Sequence, residues 1–309
     1  MPVIVPNNLP ACSQLAKENI HVIEESRATS QDIRPLKLLI LNLMPTKVET
    51  ETQLIRVLSH SPLQIDVTFV YTKTYQSKTT PPQHLKNFYT TFDQVKDTYF
   101  DGMIITGAPV EHLDFTTVAY WDELESMMAW SKIHVYSTLH ICWGAQAGLF
   151  HHYGVKKIAL DEKMSGIYLH ETCEQNHPLL RGFNDVFDAP HSRYTTISRD
   201  DVKGHEELDV LAKTTTGDLY LIAAKNLRQV FLTGHPEYDT ETLNKEFVRD
   251  VDKGINPAAP VNYFTDGDEN LPIRNTWRAH ATLLFTNWIH QIYQDVPYEI
   301  GKISEIGAD

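Results

Sequence analysis

The stretch at residues 138–148, which reads TLHICWGAQAG, decides the fold class and supplies the first candidate for chemistry. An apolar, β-branched segment that begins at Ile133 leads directly into Cys142, and small residues follow the cysteine at once. This order is typical of a nucleophile elbow, in which a strand ends, the chain turns sharply and a helix begins beneath the reactive side chain. A thiol placed there meets the positive end of a helix dipole, which favours the reactive thiolate form. The alternative is that Cys142 is an ordinary buried cysteine, the commonest fate of this residue type.

A second segment, QVFLTGHPEY at residues 229–238, favours the catalytic interpretation. Its His235 and Glu237 are two positions apart, so in an extended chain their side chains point to the same face. Pro236 fixes its own φ angle and biases His235 toward an extended conformation, which holds the pair rigidly. Glu237 can then bond one imidazole nitrogen while the other faces a nucleophile. We therefore predict a triad of Cys142, His235 and Glu237, although His235 alone would more often be an ordinary core or surface histidine.

Composition and charge restrict the class of protein. The chain has 309 residues, 42% of them hydrophobic, and a formal net charge of −13. That charge argues against a nucleic-acid partner, and no apolar run approaches the roughly 18–20 residues of a membrane span. The N-terminal residues lack the features of a signal peptide. Neither a disulfide framework nor a metal site is expected, because the cysteines lack CxxC spacing and the histidines form no metal-binding pattern. These features predict a cytoplasmic protein.

From residue 35 onward the chain alternates between predicted strands and predicted helices. Largely apolar runs predict strands at residues 36–41, 63–71, 100–107, 133–141 and 230–233. Amphipathic stretches predict helices at residues 46–60, 120–130, 240–253 and 276–293. Between residues 160 and 222 we expect smaller strands, loops and a hairpin. This alternation favours an α/β fold with a mostly parallel sheet and helices on both faces.

The domain organisation follows from the same pattern. Prolines at positions 2, 6 and 10 indicate an irregular N-terminal arm over residues 1–34, with one helical piece at 11–25. No linker or repeat divides the remainder, so we expect a single α/β domain over residues 35–297. Residues 298–309 are then a C-terminal tail.

The carboxyl ends of the predicted strands carry the polar and reactive residues. Residues 42–47 follow the first strand, residues 106–111 end and follow the third, and Cys142 and His235 follow the fourth and fifth. Ligands of open parallel sheets bind beyond the carboxyl ends of the strands. We therefore expect the site at this edge of the sheet.

Several motifs, in the right order and spread over nearly the whole chain, resemble those of the homoserine O-acyltransferases of the MetA type. They are LNLMPTK at residues 41–47, TGAP at 106–109, HICWGAQA at 140–147, PHSRY at 190–194 and GHPEYD at 234–239. The segments around Cys142 and His235 also resemble those of class I glutamine amidotransferases. That wider family typically has glycine where this chain has His140.

The resemblance implies a reaction as well as a fold. The fold implied is that of class I glutamine amidotransferases, which is flavodoxin-like, and the assembly implied is a homodimer. The activity implied is transfer of an acyl group from acyl-CoA to the hydroxyl of homoserine, in methionine biosynthesis, with no cofactor because acetyl-CoA is a co-substrate. Three alternatives stay open: transfer from succinyl-CoA, an amidotransferase-like hydrolysis of glutamine, and a binding or regulatory protein on this fold with a sensor cysteine.

The resemblance also implies roles for individual residues. Cys142 would form the acyl-enzyme, His235 would take the proton of the homoserine hydroxyl, and Glu237 would orient His235. The backbone N–H of Trp143, together with Lys47, would stabilise the oxyanion of each tetrahedral intermediate. Family positions that bind the substrate map onto Lys163, Ser192 and Arg249.

Glu111 is the position at which the resemblance implies the choice of donor. In the family a small residue there accompanies succinyl-CoA, and glutamate accompanies acetyl-CoA. A carboxylate at the end of the acyl pocket fills space and repels the succinyl carboxylate. We therefore expect acetyl-CoA to be the donor. The alternative is that Glu111 is an exposed loop residue without a role.

Overall fold

A single mixed β-sheet runs through the protein. The structure is a computed structural model, and it describes residues 3–17, 22–25, 34–74 and 80–306. The strands are β1 (Val3–Val5), β2 (Val22–Glu24), β3 (Leu36–Leu41), β4 (Ile65–Val70), β5 (Tyr89–Thr90), β6 (Phe100–Ile105), β7 (Val135–Ile141), β8 (Lys157–Thr172), β9 (Val186–Ile197), β10 (Leu208–Thr214), β11 (Leu219–Ala224) and β12 (Gln229–Leu232). The helices are α1 (Ala11–Lys17), α2 (Lys47–Leu58), α3 (Pro82–Phe88), α4 (Phe92–Val95), α5 (Trp121–His134), α6 (Trp143–Tyr153), α7 (Arg199–Lys203), α8 (Thr242–Asp252) and α9 (Arg278–Asp295). Short 3-10 turns occupy Phe115–Thr117, Pro178–Leu180, Thr265–Gly267 and Ile300–Glu305.

The sheet has a parallel half and an antiparallel half. Its strand order is β2-β1-β4-β3-β6-β7-β12-β11-β10-β8-β9, and β5 pairs with β4. Neighbours from β2 to β12 run parallel, and those from β12 to β9 run antiparallel. The predicted α/β fold with a mostly parallel sheet is therefore confirmed. Residues 160–222 do not form a separate layer, because β8 and β9 extend the same sheet as a long antiparallel pair.

Hydrophobic side chains bury both faces of the parallel half. Successive residues of a strand point to opposite faces. Leu38 and Ile40 accordingly pack in one core cluster with Trp288 of α9. Leu39 and Leu41 pack in another, with Met127 and Met128 of α5. A strand covered on both faces reads as a continuous apolar run, which explains the sequence LKLLIL of β3.

The N-terminal segment differs from the prediction. Val3–Val5 is a buried strand that pairs in parallel with β4, so an irregular arm is the wrong description of these residues. Of the helix predicted over residues 11–25, the structure describes a helix at Ala11–Lys17, and Val22–Glu24 is instead a strand that pairs with β1. The prolines at positions 2, 6 and 10 had suggested a break in structure, but none of them lies within the three residues of the strand, so they remove no N–H from it.

The predicted boundaries of the arm, domain and tail stay predictions. Parts of the arm (residues 1–2, 18–21 and 26–33) and of the tail (residues 307–309) lie outside the described residues. Within the tail, Ile303 is buried against the core. In the described part of the chain, no helix has both the length and the apolar character needed to cross a bilayer.

Candidate active site

Cys142 occupies a sharp turn between β7 and α6. Its backbone angles are φ 52° and ψ −116°, which an L-residue adopts only when the surrounding structure enforces it. The Cys142 N–H donates to the carbonyl of Leu232, 2.6 Å away, and this bond ties the turn to β12. A Cβ at Gly144 would lie 2.6 Å from the carbonyl oxygen of Thr106, so the first turn of α6 approaches β6 closely. The predicted elbow is confirmed in its geometry.

The sheet brings His235 to the same edge as Cys142. β12 runs parallel to β7 with Leu232 opposite Ile141, so the chain leaves both strands at the same height. A Cβ at Gly107 would lie 3.3 Å from the Cβ of Cys142 and 3.5 Å from Cε1 of His235. The thiol and the imidazole therefore flank one glycine, and a Cβ there would crowd Cys142.

The surroundings of His235 favour its protonated form. Its Nδ1 lies 2.7 Å from Oε1 of Glu237, and both side chains are buried. Burial disfavours the imidazolium, but the charges of Cys142 and Glu237, with their hydrogen bonds to the ring, outweigh it and raise the pKa of His235 well above its ordinary value. An imidazolium between a thiolate and a carboxylate is the arrangement that this chemistry favours.

Glu111 lies beside the sulfur. Its Oε1 is 4.0 Å from Sγ of Cys142, and its Oε2 accepts a hydrogen bond from the backbone N–H of Tyr194 at 3.1 Å. Burial raises the pKa of this carboxyl, and the Tyr194 hydrogen bond partly offsets that rise. Glu111 is thus not an exposed loop residue, because only 9% of it is accessible.

A cavity of about 510 Å³ lies above these groups. Its lining includes Cys142 and His235 of the predicted triad. It also includes Glu111, which is predicted to select the donor, and the predicted substrate-binding residues Lys163, Ser192 and Arg249. Residues from β8, β9 and α8 thereby join the edge of the parallel half.

The three predicted substrate-binding residues converge on two carboxylates of α8. Lys163 Nζ lies 3.2 Å from Oδ2 of Asp250 and 3.8 Å from Oε2 of Glu246. The Ser192 hydroxyl donates to Glu246. Arg249 donates from Nε to Oδ1 of Asp250 at 2.9 Å and stays about half exposed. The cavity wall on this side is therefore a network of ion pairs and hydrogen bonds.

Lys47 and Trp143 hold different positions. The Lys47 ammonium donates to the carbonyls of Asn42 and of Met44, the latter at 3.3 Å. Burial lowers the pKa of Lys47 to about 8, although the charge of Glu51 opposes this. Lys47 is not one of the described residues that line the cavity above Cys142, and it lines an adjoining cavity instead. The Trp143 N–H begins α6 directly after Cys142. Both oxyanion roles stay predictions.

Sequence reasoning missed Tyr238 and Glu246. The Tyr238 ring stacks on the imidazole of His235, and its hydroxyl donates to Glu246. Tyr238 directly follows the predicted triad segment, which was an available signal. Glu246 gave none, because an acidic residue on a helix usually faces solvent.

His140 is a core residue. Its Nε2 lies 2.8 Å from Oε1 of Gln229, and its ring stacks on Phe231. Burial lowers the pKa of His140 to about 4, so the ring is neutral. A Cβ at Gly148 would lie 2.6 Å from Nδ1 of His140, so a glycine of α6 makes room for the imidazole. Within the described ranges, no three His, Cys, Asp or Glu side chains are grouped so as to hold a metal ion.

The sequence matches one protein family along nearly its whole length. A family model described as "Homoserine O-succinyltransferase" matches residues 2–298. A homoserine O-acetyltransferase of Bacillus licheniformis is 53% identical over 300 residues, covering 97% of this chain and 99% of that one. A homoserine O-acetyltransferase of Acetivibrio thermocellus is 51% identical over 304 residues, covering 98% and 100% respectively.

Solved structures with a similar fold are much more distant in sequence. A glutamine amidotransferase from Thermotoga maritima superposes with a TM-score of 0.58 at 11% identity, covering 85% of this chain and all of that one. The glutaminase domain of a CTPS from Trypanosoma brucei superposes with a TM-score of 0.52 at 8% identity, covering 84% of this chain and 94% of that one. These likenesses concern the fold, and they confirm the predicted amidotransferase-like class.

Proposed function

The chain belongs to the homoserine O-succinyltransferase family, and on that premise we propose that it transfers an acetyl group from acetyl-CoA to the hydroxyl of L-homoserine, in methionine biosynthesis. The observation that carries the proposal is the meeting of Cys142 and His235 in one cavity with the cationic side chains Lys163 and Arg249, while Glu237 bonds the imidazole of His235.

In the first half-reaction, the Cys142 thiolate attacks the carbonyl carbon of acetyl-CoA. The carbonyl oxygen becomes an oxyanion, and the bond from carbon to the CoA sulfur then breaks. The departing CoA thiolate takes the proton of the His235 imidazolium and leaves as a free thiol. One thioester replaces another, so the acetyl-cysteine forms without a large change in free energy.

In the second half-reaction, neutral His235 acts as the general base. It takes the hydroxyl proton of homoserine while the oxygen attacks the acetyl carbon, and the bond from carbon to Sγ breaks. O-acetylhomoserine leaves, and the thiolate and the imidazolium are restored. Glu237 stabilises the imidazolium at the start and end of the cycle.

Each tetrahedral oxyanion needs hydrogen-bond donors. The backbone N–H of Trp143 is a candidate donor to the oxyanion, because Trp143 directly follows Cys142 in the first turn of α6. Removal of one such donor typically costs ~3–4 kcal/mol of transition-state stabilisation. Lys47 is a second candidate, although its ammonium has to leave the loop carbonyls in order to contribute.

Homoserine is a zwitterion and needs both signs of charge. Arg249 has a planar guanidinium that can bind the carboxylate with two hydrogen bonds. Lys163 and Ser192 lie on the same wall. Glu246, which both of them contact, supplies an acceptor for the ammonium group.

Glu111 selects the donor. Its carboxylate lies 4.0 Å from Sγ, where the far end of a succinyl group would have to pass. Two like charges ~4 Å apart cost about 4 kcal/mol at an intermediate dielectric, which is ample for discrimination. The family model is described as a succinyltransferase, whereas the relatives named above are called acetyltransferases. Glu111 is therefore the residue at which donor choice should be tested.

A donor assay tests the proposal. The protein should release CoA with acetyl-CoA and homoserine together, should use succinyl-CoA poorly, and should release no ammonia from glutamine. Glu111→Gly should gain ~10-fold or more in succinyl-CoA use. Glu111→Gln keeps the volume without the charge, so it separates repulsion from filling of space. Ammonia release without CoA release would contradict the proposal, and an unchanged donor preference in Glu111→Gly would contradict the role of that residue.

We also propose that the protein is a cytoplasmic homodimer. The free thiols of Cys142 and of the exposed Cys173 suit a reducing compartment. Light scattering after gel filtration should give twice the mass of one chain.

A further inference from the structure

Tyr238 contacts the catalytic imidazole over its whole face. The ring centroids of Tyr238 and His235 are 4.1 Å apart, and their planes are inclined by 19°. The hydrogen bond from Nδ1 to Glu237 lies in the plane of the imidazole, so it leaves the ring free to tilt about that bond. A ring stacked on its face removes this tilt. The electron-rich face of an aromatic ring also favours the imidazolium over the neutral form.

Tyr238 is itself held at both ends. Its carbonyl oxygen accepts a hydrogen bond from Nε1 of Trp277 at 3.0 Å, and its hydroxyl donates to Oε1 of Glu246 at 2.9 Å. The Tyr238 side chain is buried, and Glu246 is partly exposed. A hydrogen bond to a carboxylate is among the stronger ones in proteins.

Glu246 connects Tyr238 with the opposite wall of the cavity. Its second oxygen accepts from the Ser192 hydroxyl and lies 3.8 Å from Nζ of Lys163. The Glu246 carboxylate thus links Tyr238, which stacks on His235, with Ser192 and Lys163. Displacement of Glu246 by a substrate would therefore change the hydrogen bond of the Tyr238 hydroxyl.

We propose that Tyr238 is a positioning residue for His235, and that its hydrogen bond to Glu246 joins the base to the acceptor pocket. The first part depends only on the stacked geometry. The second part rests on the proposed function, because it takes Ser192 and Lys163 as residues that bind the acceptor. The charged groups around this pair of rings are Cys142, Glu237, Glu111 and Glu246.

Three variants separate the two parts. Tyr238→Leu removes the stacked ring, and Tyr238→Phe keeps the ring but removes the hydroxyl. Tyr263→Phe is the matched control: it removes another tyrosine hydroxyl beside α8, one that bonds the Thr240 carbonyl and the Asn244 N–H. Thermal unfolding of each variant reports general damage to the fold.

Three rates are measured on each variant. The first is alkylation of Cys142 by iodoacetamide, followed by peptide mass spectrometry because the exposed Cys173 also reacts. The second is the burst of CoA released from acetyl-CoA without homoserine. The third is the homoserine-dependent turnover that follows. Alkylation requires neither substrate, so it tests the positioning role even if the proposed function fails.

Tyr238→Leu should slow alkylation, burst and turnover by about tenfold or more. Tyr238→Phe should keep alkylation and burst within about twofold of the wild-type protein and slow only the homoserine-dependent step, by about tenfold. Tyr263→Phe should leave all three rates within about twofold. Wild-type alkylation in Tyr238→Leu would overturn the positioning role. Equal slowing of burst and turnover in Tyr238→Phe would overturn the connection to the acceptor pocket. A wild-type protein that consumes no acetyl-CoA would contradict the proposed function alone.

Discussion

Two walls of the cavity that contains Cys142 and His235 are held in place in different ways. Main-chain contacts hold the wall that carries Cys142, whereas side-chain contacts hold the wall that carries Glu246. On the first wall, Cys142 is held in a positive-φ turn by a hydrogen bond to β12 and by the close approach of Gly144 to β6. On the second wall, Ser192 and Lys163 are held by carboxylates of α8. The first wall is held by main-chain contacts, and the contacts given for the second are between side chains.

This difference matches the two half-reactions of the proposed function. The nucleophile has to meet a thioester in one orientation, which a strained and rigid turn secures. The acceptor wall has to bind a small zwitterion and release its acetyl ester, which keeps both charges but is larger, and ion pairs that can exchange partners permit this. Substitutions on the two walls should therefore affect different steps.

The largest effect is expected at the nucleophile itself. Cys142→Ser should lower turnover by about 10⁴-fold or more, because a hydroxyl at this position is a far weaker nucleophile than a thiolate. Steady-state CoA release with acetyl-CoA and homoserine measures it. Cys173→Ser, at an exposed cysteine away from the cavity, should keep wild-type turnover. Substantial activity in Cys142→Ser would remove the first wall from the chemistry.

The next effect is expected at the residue that orients the base. Glu237→Gln should lower turnover by about 10²- to 10³-fold. It should also lower the pKa of His235, because the charge of Glu237 is one of the causes that raise it. Departure of CoA needs the imidazolium, so the burst rate falls as pH rises through the pKa of His235, and this fall should occur at lower pH in the variant.

A pH profile of the burst rate measures that displacement. Glu241→Gln, which removes an exposed carboxylate at the start of α8, should leave the profile in place. A Glu237→Gln profile that coincides with the wild-type profile would show that the carboxylate does not support the charged base.

The rigidity of the first wall is tested at Gly144. Gly144→Ala places a Cβ 2.6 Å from the carbonyl oxygen of Thr106, so either the elbow or the end of β6 has to move. We expect a loss of about 1–3 kcal/mol in the free energy of unfolding, measured by urea denaturation, together with a slower burst. Gly301→Ala is the control, since a Cβ there meets nothing within 4 Å. Equal stability of both variants would mean that the turn is not held tightly.

The smallest effect is expected on the second wall. Arg249→Lys keeps the charge but loses the planar pair of donors, so the KM for homoserine should rise about tenfold while the CoA burst stays unchanged. Steady-state and burst kinetics with acetyl-CoA measure the two quantities. Arg278→Lys, at an exposed arginine that starts α9, should change neither. A slower burst in Arg249→Lys would mean that the two walls do not serve separate steps.

The contrast between the walls also explains what sequence could predict. The nucleophile, the base and their common edge followed from apolar runs that end in reactive residues, because strand period and sheet direction are local properties. The nucleophile turn of Cys142 was predictable for the same reason. Backbone-determined positions are therefore readable from the sequence.

Side-chain networks were not readable in this way. The hub at Glu246 depends on the rotamers of residues from β8, β9 and α8, which no local pattern encodes. The bonds of the Lys47 ammonium to nearby loop carbonyls were likewise not predicted, and its oxyanion role stays a prediction. The strand Val3–Val5 was missed because three residues between prolines carry too little periodicity to distinguish a strand from a loop.

In the proposed function, Cys142 carries the acetyl group from one substrate to the other. Mass spectrometry of protein mixed with acetyl-CoA in the absence of homoserine detects that intermediate. We predict one acetyl group on the peptide that contains Cys142, and its loss when homoserine is added. Turnover without any acetylated Cys142, or an acetyl group on a different residue that homoserine removes, would contradict this role of the cysteine.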